Sequence, residues 1–282
     1  MNMQQKVVVI TGASSGIGAV AATELARAGA RIICIGRDPA RGAKIVEQLR
    51  AITPGVNHLL YCADLARLSE VKRVGNLLAE SEQRIDVLIN NAGALFARRE
   101  LTEDGLEKTF ATNHMAYFVL TNLLLERLKV TAGARIVSTA SDAHKSAKID
   151  FADLQSENGY SAFGAYGRSK LMNILFTRTL ARRLAGSGAT SNCFHPGFVA
   201  TRFGDANGGF MAFIIRSAKK FALTPEEGAK TMIYLASSPE AASVSGKYFY
   251  KCKVAIPSEA ARNDADAQRL WDISARLSGV GA

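Results

Sequence analysis

The chain has 282 residues, of which 48% are hydrophobic and 21% are charged. This composition excludes a globally disordered protein and is sufficient for one sizeable core. The formal charge of +10 describes either an ordinary solvated surface or a field that attracts a phosphorylated ligand. The sequence contains no long run of lysine and arginine and no nucleic-acid motif, so we expect no nucleic-acid partner.

The cysteines and histidines lack the spacing of a metal site or a disulfide framework. Neither type forms a regular cluster, and the four cysteines are Cys34, Cys62, Cys193 and Cys252. Free cysteines in apolar runs are expected in a reducing compartment. The first apolar run is far too short to cross a bilayer, and no signal-peptide pattern precedes it. We therefore predict a cytoplasmic protein without a metal ion or a transmembrane anchor.

Apolar runs alternate with helical patterns along the chain. Strands are predicted for residues 7–10, 32–35, 58–62, 87–89, 136–139 and 189–194. Helices are predicted between them, for example over residues 17–28, 40–50 and 68–83. Several strands are apolar throughout, which is typical of a parallel sheet covered on both faces. The pattern predicts one α/β domain over residues 1–282, a Rossmann-type doubly wound sheet of about seven strands with helices on both faces.

A glycine-rich loop joins the first strand to the first helix. Its sequence is Thr11-Gly12-Ala13-Ser14-Ser15-Gly16-Ile17-Gly18. Gly12 permits a sharp turn, Gly16 permits the backbone to approach a pyrophosphate, and Gly18 permits close packing of the helix on the sheet. The N–H groups at the helix N-terminus favour phosphate. The loop therefore predicts a dinucleotide site, to which Ser14, Ser15 and Ile17 contribute with the glycines.

The glycine spacing, G-x-x-x-G-x-G, resembles that of the short-chain dehydrogenase/reductase family. Further motifs follow in the order typical of that family. They are Asp64 with Leu65, Asn90-Asn91-Ala92-Gly93, Asn113, Ser141, Tyr166-Gly167-Arg168-Ser169-Lys170 and Pro196-Gly197-Phe198-Val199-Ala200-Thr201. The resemblance covers nearly the whole chain and implies an oxidoreductase that uses a nicotinamide dinucleotide.

The resemblance also implies where the dinucleotide lies. Asp64 and Leu65 would contact the adenine, and the segment Asn91-Ala92-Gly93 would line the adenosine. The residues implied beside the nicotinamide are Pro196, Gly197, Val199 and Thr201. Since all these motifs follow predicted strands, we expect them at the carboxyl edge of the sheet, where such folds bind their ligands.

The end of the second predicted strand bears on the choice of cofactor. In family members that prefer NAD, an acidic residue at this position holds the ribose 2′-hydroxyl. Here Gly36 stands at that position and Arg37 follows it, and a guanidinium suits a 2′-phosphate. We predict NADP(H) as the cofactor, with NAD(H) as the alternative if Asp38 is the residue that meets the ribose.

Tyr166 and Lys170 are four residues apart in a helical pattern over residues 165–184, so they share one helix face. A free tyrosine has a pKa of about 10, and a neighbouring ammonium lowers it towards neutrality. Tyr166 is therefore predicted to pass a proton to a carbonyl or from an alcohol. By resemblance, Ser141 holds the same oxygen, and Lys170 also binds the nicotinamide ribose. The resemblance further implies that Asn113 fixes a water that links Lys170 to solvent; the alternative is a bond to nearby backbone.

The segment between Ser141 and Tyr166 is long, and in this the chain resembles the retinol-dehydrogenase-like branch, which includes relatives of protochlorophyllide reductase. Residues 202–224, with several phenylalanines and lysines, are predicted to form a lid over a lipophilic carbonyl or alcohol substrate. The alternatives are a helix packed on the core or on a second subunit of a homo-oligomer, and peripheral contact with a membrane surface. A C-terminal extension is predicted at about residues 252–282.

Two other functions compete with catalysis on a carbonyl or alcohol. The first is a regulatory protein that binds NADP(H) without catalysis, but such proteins typically lack the tyrosine or the lysine. The second is a related sugar epimerase or dehydratase, which usually has a different glycine spacing and a larger C-terminal substrate domain. The chain keeps Tyr166 and Lys170 and has a short C-terminal part, so both alternatives are disfavoured.

Overall fold

The computed structural model describes residues 2–199 and 223–281. The strands in these ranges are β1 Val7–Thr11, β2 Arg31–Gly36, β3 Leu59–Cys62, β4 Val87–Asn90, β5 Arg135–Thr139, β6 Thr190–Phe194, β7 Tyr248–Tyr250 and β8 Lys253–Ala255. They form one sheet in the order β3-β2-β1-β4-β5-β6-β7-β8. Strands β1 to β7 pair in parallel, and β8 is antiparallel to β7.

Helices cover the sheet. They are α1 Gly16–Arg27, α2 Pro39–Ile52, α3 Leu68–Ser81, α4 Lys108–Phe110, α5 Ala116–Leu123, α6 Leu125–Val130, α7 Ala162–Arg183, α8 Pro225–Ser237 and α9 Asp264–Ser278. A π-helical turn, Ala111–Met115, joins α4 to α5, and a 3₁₀ turn, Asp142–Ser146, follows β5. Within the two described ranges, no helix is both long enough and apolar enough to pass through a bilayer.

Both faces of the sheet are buried, as shown by the alternating side chains of β1. Val7 and Val9 pack with the buried faces of α3, α5, α7 and α9. Val8 and Ile10 pack on the opposite face with α1, α2 and α8. Because each side of the strand meets a helix layer, residues 7–10 of β1 are all apolar, and its one polar residue, Thr11, stands at the carboxyl end. The predicted Rossmann-type sheet with helices on both faces is confirmed.

The C-terminal end of the sheet differs from the prediction of about seven strands. An eighth strand, β8, returns beside β7 through Lys251 and Cys252, whose φ angles are 48° and 61°. Both strands of this hairpin have only three residues, which is too short for a periodic pattern to identify them. The sheet therefore ends in an antiparallel edge strand.

The start of α7 also differs from the prediction. The apolar pattern begins at residue 165, but the helix begins at Ala162 because the Ser161 side chain accepts a hydrogen bond from the Gly164 N–H and caps it. Strands β1, β4, β5 and β6 all end at one edge, and the strand order reverses at the β1/β4 boundary. That boundary is where folds of this kind open a ligand crevice.

Candidate active site

The loop after β1 leaves little room for a side chain at Gly12 or Gly18. Gly12 and Gly16 have φ angles of 70° and 54°, which glycine adopts without strain. A Cβ added to Gly18 would lie 2.3 Å from the Gly12 carbonyl oxygen, and one added to Gly12 would lie 3.0 Å from the Ala92 Cα. The tightest constraint on Gly18 is thus the loop itself, rather than the helix–sheet packing that the sequence predicted.

Helix α1 begins directly after this loop with no side-chain cap. The side chain of its N-cap residue, Ser15, makes no capping hydrogen bond to the helix, and no acidic residue lies in the first turn. By contrast, Asp38 caps α2 and Thr224 caps α8. Uncapped N–H groups at the positive end of a helix suit an anion. The glycine loop and the start of α1 therefore fit the pyrophosphate of a dinucleotide.

The structure at the end of β2 distinguishes Arg37 from Asp38, the two residues predicted as candidates for the ribose contact. The Asp38 carboxylate accepts hydrogen bonds from the Arg41 backbone N–H at 3.0 Å and from its Nε at 2.6 Å. These contacts with Arg41 lower the pKa of Asp38. Arg37 is exposed, and a Cβ on Gly36 would meet nothing nearer than the Ser14 Oγ at 3.7 Å. The aspartate is engaged by its own helix, whereas the space beside Gly36 is open.

The end of β4 is joined to the glycine loop. The Asn91 backbone N–H donates to the Thr11 Oγ1 at 2.8 Å, and its side chain donates to the Thr11 carbonyl at 3.0 Å. The Ala92 N–H shares the same hydroxyl at 3.0 Å. A Cβ on Gly93 would lie 3.2 Å from the Lys170 Nζ. This motif therefore connects the predicted cofactor loop with the predicted catalytic lysine.

At the end of β3, Asp64 is fixed by the turn that follows. Its carboxylate accepts from the Ala66 N–H at 3.0 Å, and its own N–H donates to Glu70 at 2.8 Å. The neighbouring Leu65 is buried. The structure places both residues at the carboxyl edge, on the β3 side of the crevice. Their contact with adenine stays a prediction.

Ser141, Tyr166 and Lys170 meet beyond the end of β5. The Tyr166 hydroxyl is hydrogen-bonded to the Ser141 side chain. The Lys170 Nζ lies 5.6 Å from the Tyr166 ring centroid and 5.7 Å from the Tyr117 ring centroid. The same Nζ donates to the Thr139 carbonyl at 3.0 Å, and Lys170 is only 2% exposed. The structure thus brings together the three residues predicted for proton transfer.

Burial dominates the protonation of this group. It raises the pKa of Tyr166 to about 12, against a smaller lowering by the Ser141 hydrogen bond. It also lowers the pKa of Lys170 to about 7. The expected lowering of the Tyr166 pKa is therefore wrong for the chain alone, because burial penalises the phenolate more than the Ser141 hydrogen bond stabilises it. Tyr166 is held as a phenol, which is the form that donates a proton.

Asn113 lies in the π-helical turn and is fully buried. Its Oδ1 accepts from the Ala94 N–H at 2.8 Å, and its Nδ2 donates to the Ala94 carbonyl at 2.9 Å and to the Ser169 Oγ at 3.0 Å. The amide thus bonds backbone, as the alternative reading expected, and connects the loop after β4 to α7 next to Lys170. The predicted water between Asn113 and Lys170 stays a prediction.

The motif after β6 lies against the glycine loop. Gly197, which follows Pro196, has a φ of 85°. A Cβ on Gly228 of α8 would lie 2.5 Å from a Val199 methyl and 2.9 Å from an Ile17 methyl. Val199 is predicted beside the nicotinamide, and Ile17 is predicted beside the pyrophosphate. Both therefore approach the same point of α8. The contact of Val199 with the nicotinamide stays a prediction.

Two of the predicted features fall mainly outside the described residues. Thr201 is one, and residues 202–222 of the predicted lid are the other. The structure resumes at Leu223, whose N–H donates to the Phe198 carbonyl at 2.7 Å. Thr224 then forms a capping box with Glu227 at the start of α8. Residues 223 and 224 of the predicted lid therefore belong to the entry into this helix.

Two histidines that the sequence analysis did not single out lie beside the site. The His144 Nδ1 is 2.7 Å from the Ser141 carbonyl oxygen. His195 stacks on Tyr250 with centroids 4.1 Å apart, and its Nε2 lies 4.0 Å from the Asp142 carboxylate. Each histidine adjoins a recognised motif in the sequence, but adjacency alone does not distinguish a supporting residue from an incidental one.

Dinucleotide-binding oxidoreductases combine this fold with such a group of side chains at the carboxyl edge. The model of the short chain dehydrogenase family matches residues 6–208, and the chain belongs to this family. It is thus an oxidoreductase of the class that interconverts alcohols and carbonyl compounds.

The relatives include curated proteins and solved structures. Mouse retinol dehydrogenase 12 is 41% identical over 275 residues, which cover 98% of this chain and 87% of the relative. Human retinol dehydrogenase 14 is 43% identical, with coverage of 99% and 88%. A Burkholderia cenocepacia short chain dehydrogenase, solved in complex with NADP, matches with a TM-score of 0.71 and 27% identity, covering 93% of this chain and all of its own. The predicted resemblance to the retinol-dehydrogenase-like branch is confirmed.

Proposed function

We propose that the chain is an NADP(H)-dependent oxidoreductase that interconverts a lipophilic carbonyl compound and its alcohol, with Tyr166 as general acid and base. The contact between the Tyr166 hydroxyl and Ser141, one helical turn from the buried Lys170, carries this proposal. Two retinol dehydrogenases that match nearly the whole chain support the lipophilic class of substrate.

The residues of this group divide the proton chemistry among them. The bound dinucleotide supplies or accepts the hydride. In reduction, the phenol of Tyr166 donates its proton to the carbonyl oxygen while Ser141 holds the same oxygen by a hydrogen bond. The Lys170 ammonium then stabilises the phenolate that remains. Because the pKa of Lys170 is about 7, this side chain exchanges a proton readily at neutral pH.

The preference for NADP(H) rests on the end of β2. Arg37 is exposed beside open space at Gly36, and the Ser14 Oγ adds a hydroxyl on the same side. A guanidinium and a hydroxyl are suitable partners for a 2′-phosphate. Asp38, the residue on which NAD(H) preference would depend, is occupied by Arg41. A relative solved with NADP supports the same assignment.

The test is a substrate screen with both cofactors. The purified chain is incubated with NADPH or NADH and with aldehydes and ketones of increasing apolar size, retinaldehyde among them, while nicotinamide absorbance is followed. We expect oxidation of NADPH in preference to NADH, and faster turnover with the more apolar substrates. Tyr166→Phe removes only the hydroxyl, so it should bind NADPH normally and lose roughly 10²–10⁴-fold in turnover.

Two outcomes would contradict the proposal. If the chain binds NADPH but neither reduces any carbonyl compound with it nor oxidises any alcohol with NADP, it is a binding protein rather than an enzyme. If Tyr166→Phe turns over at the wild-type rate, the proton comes from another group. Binding of NADPH is measured separately by fluorescence, so that a loss of turnover is not confused with a loss of the cofactor.

A further inference from the structure

The imidazole of His144 is fully buried under the turn that begins at Ser141. Its Nδ1 lies 2.7 Å from the Ser141 carbonyl oxygen, and its Nε2 lies 3.1 Å from the Ser258 backbone nitrogen. A carbonyl oxygen only accepts and a backbone N–H only donates. The proton is therefore on Nδ1, and Nε2 accepts. Both nitrogens are used, so neither is available to a substrate.

These bonds act on the backbone that carries the Ser141 hydroxyl. The Ser141 carbonyl accepts from the His144 ring and also from the His144 N–H at 3.2 Å. The Ser141 Oγ accepts from the Ala143 N–H at 3.2 Å. The ring plane of His144 is fixed by an edge contact with Tyr248, with centroids 5.0 Å apart. A side chain that holds the carbonyl of Ser141 thus limits the rotation of the peptide that orients its Oγ.

The other end of the imidazole reaches the C-terminal part of the chain. Ser258 lies outside residues 6–208, the region that matches the family model. Its Oγ accepts from the Ala261 N–H at 3.4 Å, at the start of a turn that leads into α9. Trp271 of α9 stacks on Phe176 of α7, the helix of Tyr166, with ring centroids 5.8 Å apart. The C-terminal segment therefore contacts both the turn of Ser141 and the helix of Tyr166.

We infer that His144 is a positioning residue that sets the Ser141 hydroxyl by bridging the Ser141 carbonyl to the C-terminal segment at Ser258. The expected effect of His144 on catalysis rests on the proposed function. The hydrogen bonds of His144 with Ser141 and Ser258 do not depend on it. His144 acts through Ser141, because its own nitrogens face backbone groups.

Two substitutions separate the ends of this bridge. The amide nitrogen of His144→Asn falls at the Nδ1 position and can still donate to the Ser141 carbonyl. The amide of His144→Gln reaches the Nε2 position, so it can serve Ser258 but leaves the Ser141 carbonyl without its side-chain donor. We expect His144→Gln to lose roughly 10–100-fold in kcat with an unchanged KM for NADPH, because small misplacements of a reacting group are costly. His144→Asn should retain most of the wild-type kcat.

His58 supplies the matched control. It is also fully buried and also bonds at both ring nitrogens, to the Ile32 N–H at 3.0 Å and to the Thr53 Oγ1 at 2.7 Å. It immediately precedes β3 and bonds to the start of β2, so it lies at the amino ends of the strands, whereas Ser141 follows the carboxyl end of β5. His58→Gln should lose a similar amount of thermal stability and keep its kcat. Equal kcat values for His144→Asn and His144→Gln would overturn the inference.

Amide hydrogen exchange gives a readout that does not require turnover. On the full chain, His144→Gln should accelerate exchange at the Ala143 N–H, which the Ser141 Oγ protects, whereas His144→Asn and His58→Gln should not. If the wild-type chain reduces no carbonyl compound, the proposed function fails, and this measurement still decides the bridge. Wild-type protection at Ala143 in His144→Gln would overturn it.

Discussion

The two halves of the carboxyl edge form their predicted sites in different ways. On the side of β1 to β3, the predicted cofactor site is made by what is missing: side chains at Gly12 and Gly18, and a cap on α1. On the side of β4 to β7, the site is made by buried polar side chains, such as Asn113 and Lys170. The first half keeps backbone groups available to an anion, and the second uses burial to change the protonation of its residues.

The comparison predicts how each half responds to substitution. In the first half, an added atom meets backbone and displaces the loop, so cofactor binding should fall while the chemistry stays intact. In the second half, a removed group changes the proton transfer, so kcat should fall while cofactor binding stays intact. Measurements that separate kcat from the KM for the cofactor therefore test the division directly.

The largest effect is expected for Lys170→Met, which should lower kcat by roughly 10²–10⁴-fold because the phenolate of Tyr166 loses its neighbouring ammonium. The same variant should be more stable by about 1–3 kcal/mol, since it removes a buried charge. The Thr139 carbonyl is not orphaned, because Asn173 also donates to it at 3.2 Å. Turnover and urea unfolding measure the two effects, with the half-exposed Lys129 replaced by Met as control. A less stable Lys170→Met would contradict the assignment of a costly buried charge.

The stability of the wild type should also depend on pH in a direction set by Lys170. Its pKa is lowered from 10.5 to about 7 by burial, so between these values the unfolded chain binds more protons than the folded chain. The contribution of this residue to stability therefore rises as pH increases from about 7 towards 10.5 and is lost as pH falls. Unfolding free energies across this window should show a smaller rise in Lys170→Met. An identical slope in both proteins would exclude a lowered pKa at this site.

Next in size is the pH dependence of carbonyl reduction. As pH rises through about 7, Lys170 loses its proton and no longer stabilises the Tyr166 phenolate, so kcat for reduction should fall. If the reaction requires one proton on Lys170, kcat should fall by at most about tenfold per pH unit. The profiles are measured at saturating cofactor, and a flat profile for reduction would argue against Lys170 as the titrating group.

A smaller effect is expected in the cofactor half for Gly18→Ala. The new Cβ would lie 2.3 Å from the Gly12 carbonyl, so the loop must move. We expect the KM for NADPH to rise by about tenfold or more, from a strain of at least 1.4 kcal/mol, with kcat nearly unchanged. Gly164→Ala is the control, since its Cβ would meet only Ser161 atoms at 3.4 Å and beyond. A loss of kcat without a change in KM would contradict the division between the two halves.

The smallest effect is expected for Arg37→Ala. Loss of an exposed charge-assisted contact should raise the KM for NADPH by about tenfold or less and leave the KM for NADH unchanged. Arg27, which is exposed at the end of α1, gives the control substitution Arg27→Ala. If Arg37→Ala weakens NADPH and NADH equally, the guanidinium does not recognise the 2′-phosphate.

The cofactor half was readable from the sequence because its determinants are local. The three glycines of the loop lie close together in the sequence, directly after an apolar strand, so their spacing and the hydropathy of that strand identify them. The sequence did not show what excludes a side chain at Gly18, which is the Gly12 carbonyl oxygen. Ser141, Tyr166 and Lys170 were also identified, through motifs. Their protonation was not: the raised pKa of Tyr166 depends on burial by residues distant in sequence, which no local pattern records.

The contacts that support the catalytic half are long-range. The bond from Ser258 to His144 spans 114 residues, and the bond from Asn113 to Ser169 spans 56. The position of a histidine or asparagine in the sequence does not predict which distant residue it will bond in the folded protein. The strand pair β7 and β8 was missed for another reason, because three residues are too few to establish a period.

The order of the strands also bears on how the chain is synthesised. Strands β1 to β4 occupy four adjacent places, and β5, β6, β7 and β8 are each added beside the preceding strand. A nascent chain leaving the ribosome can therefore extend the sheet only at its edges, and no pair of strands must separate to admit a later one. Each new edge is exposed until the next strand emerges. The three strands that carry the glycine loop and the predicted adenosine end of the site have all been made when Cys62 is added, long before Ser258.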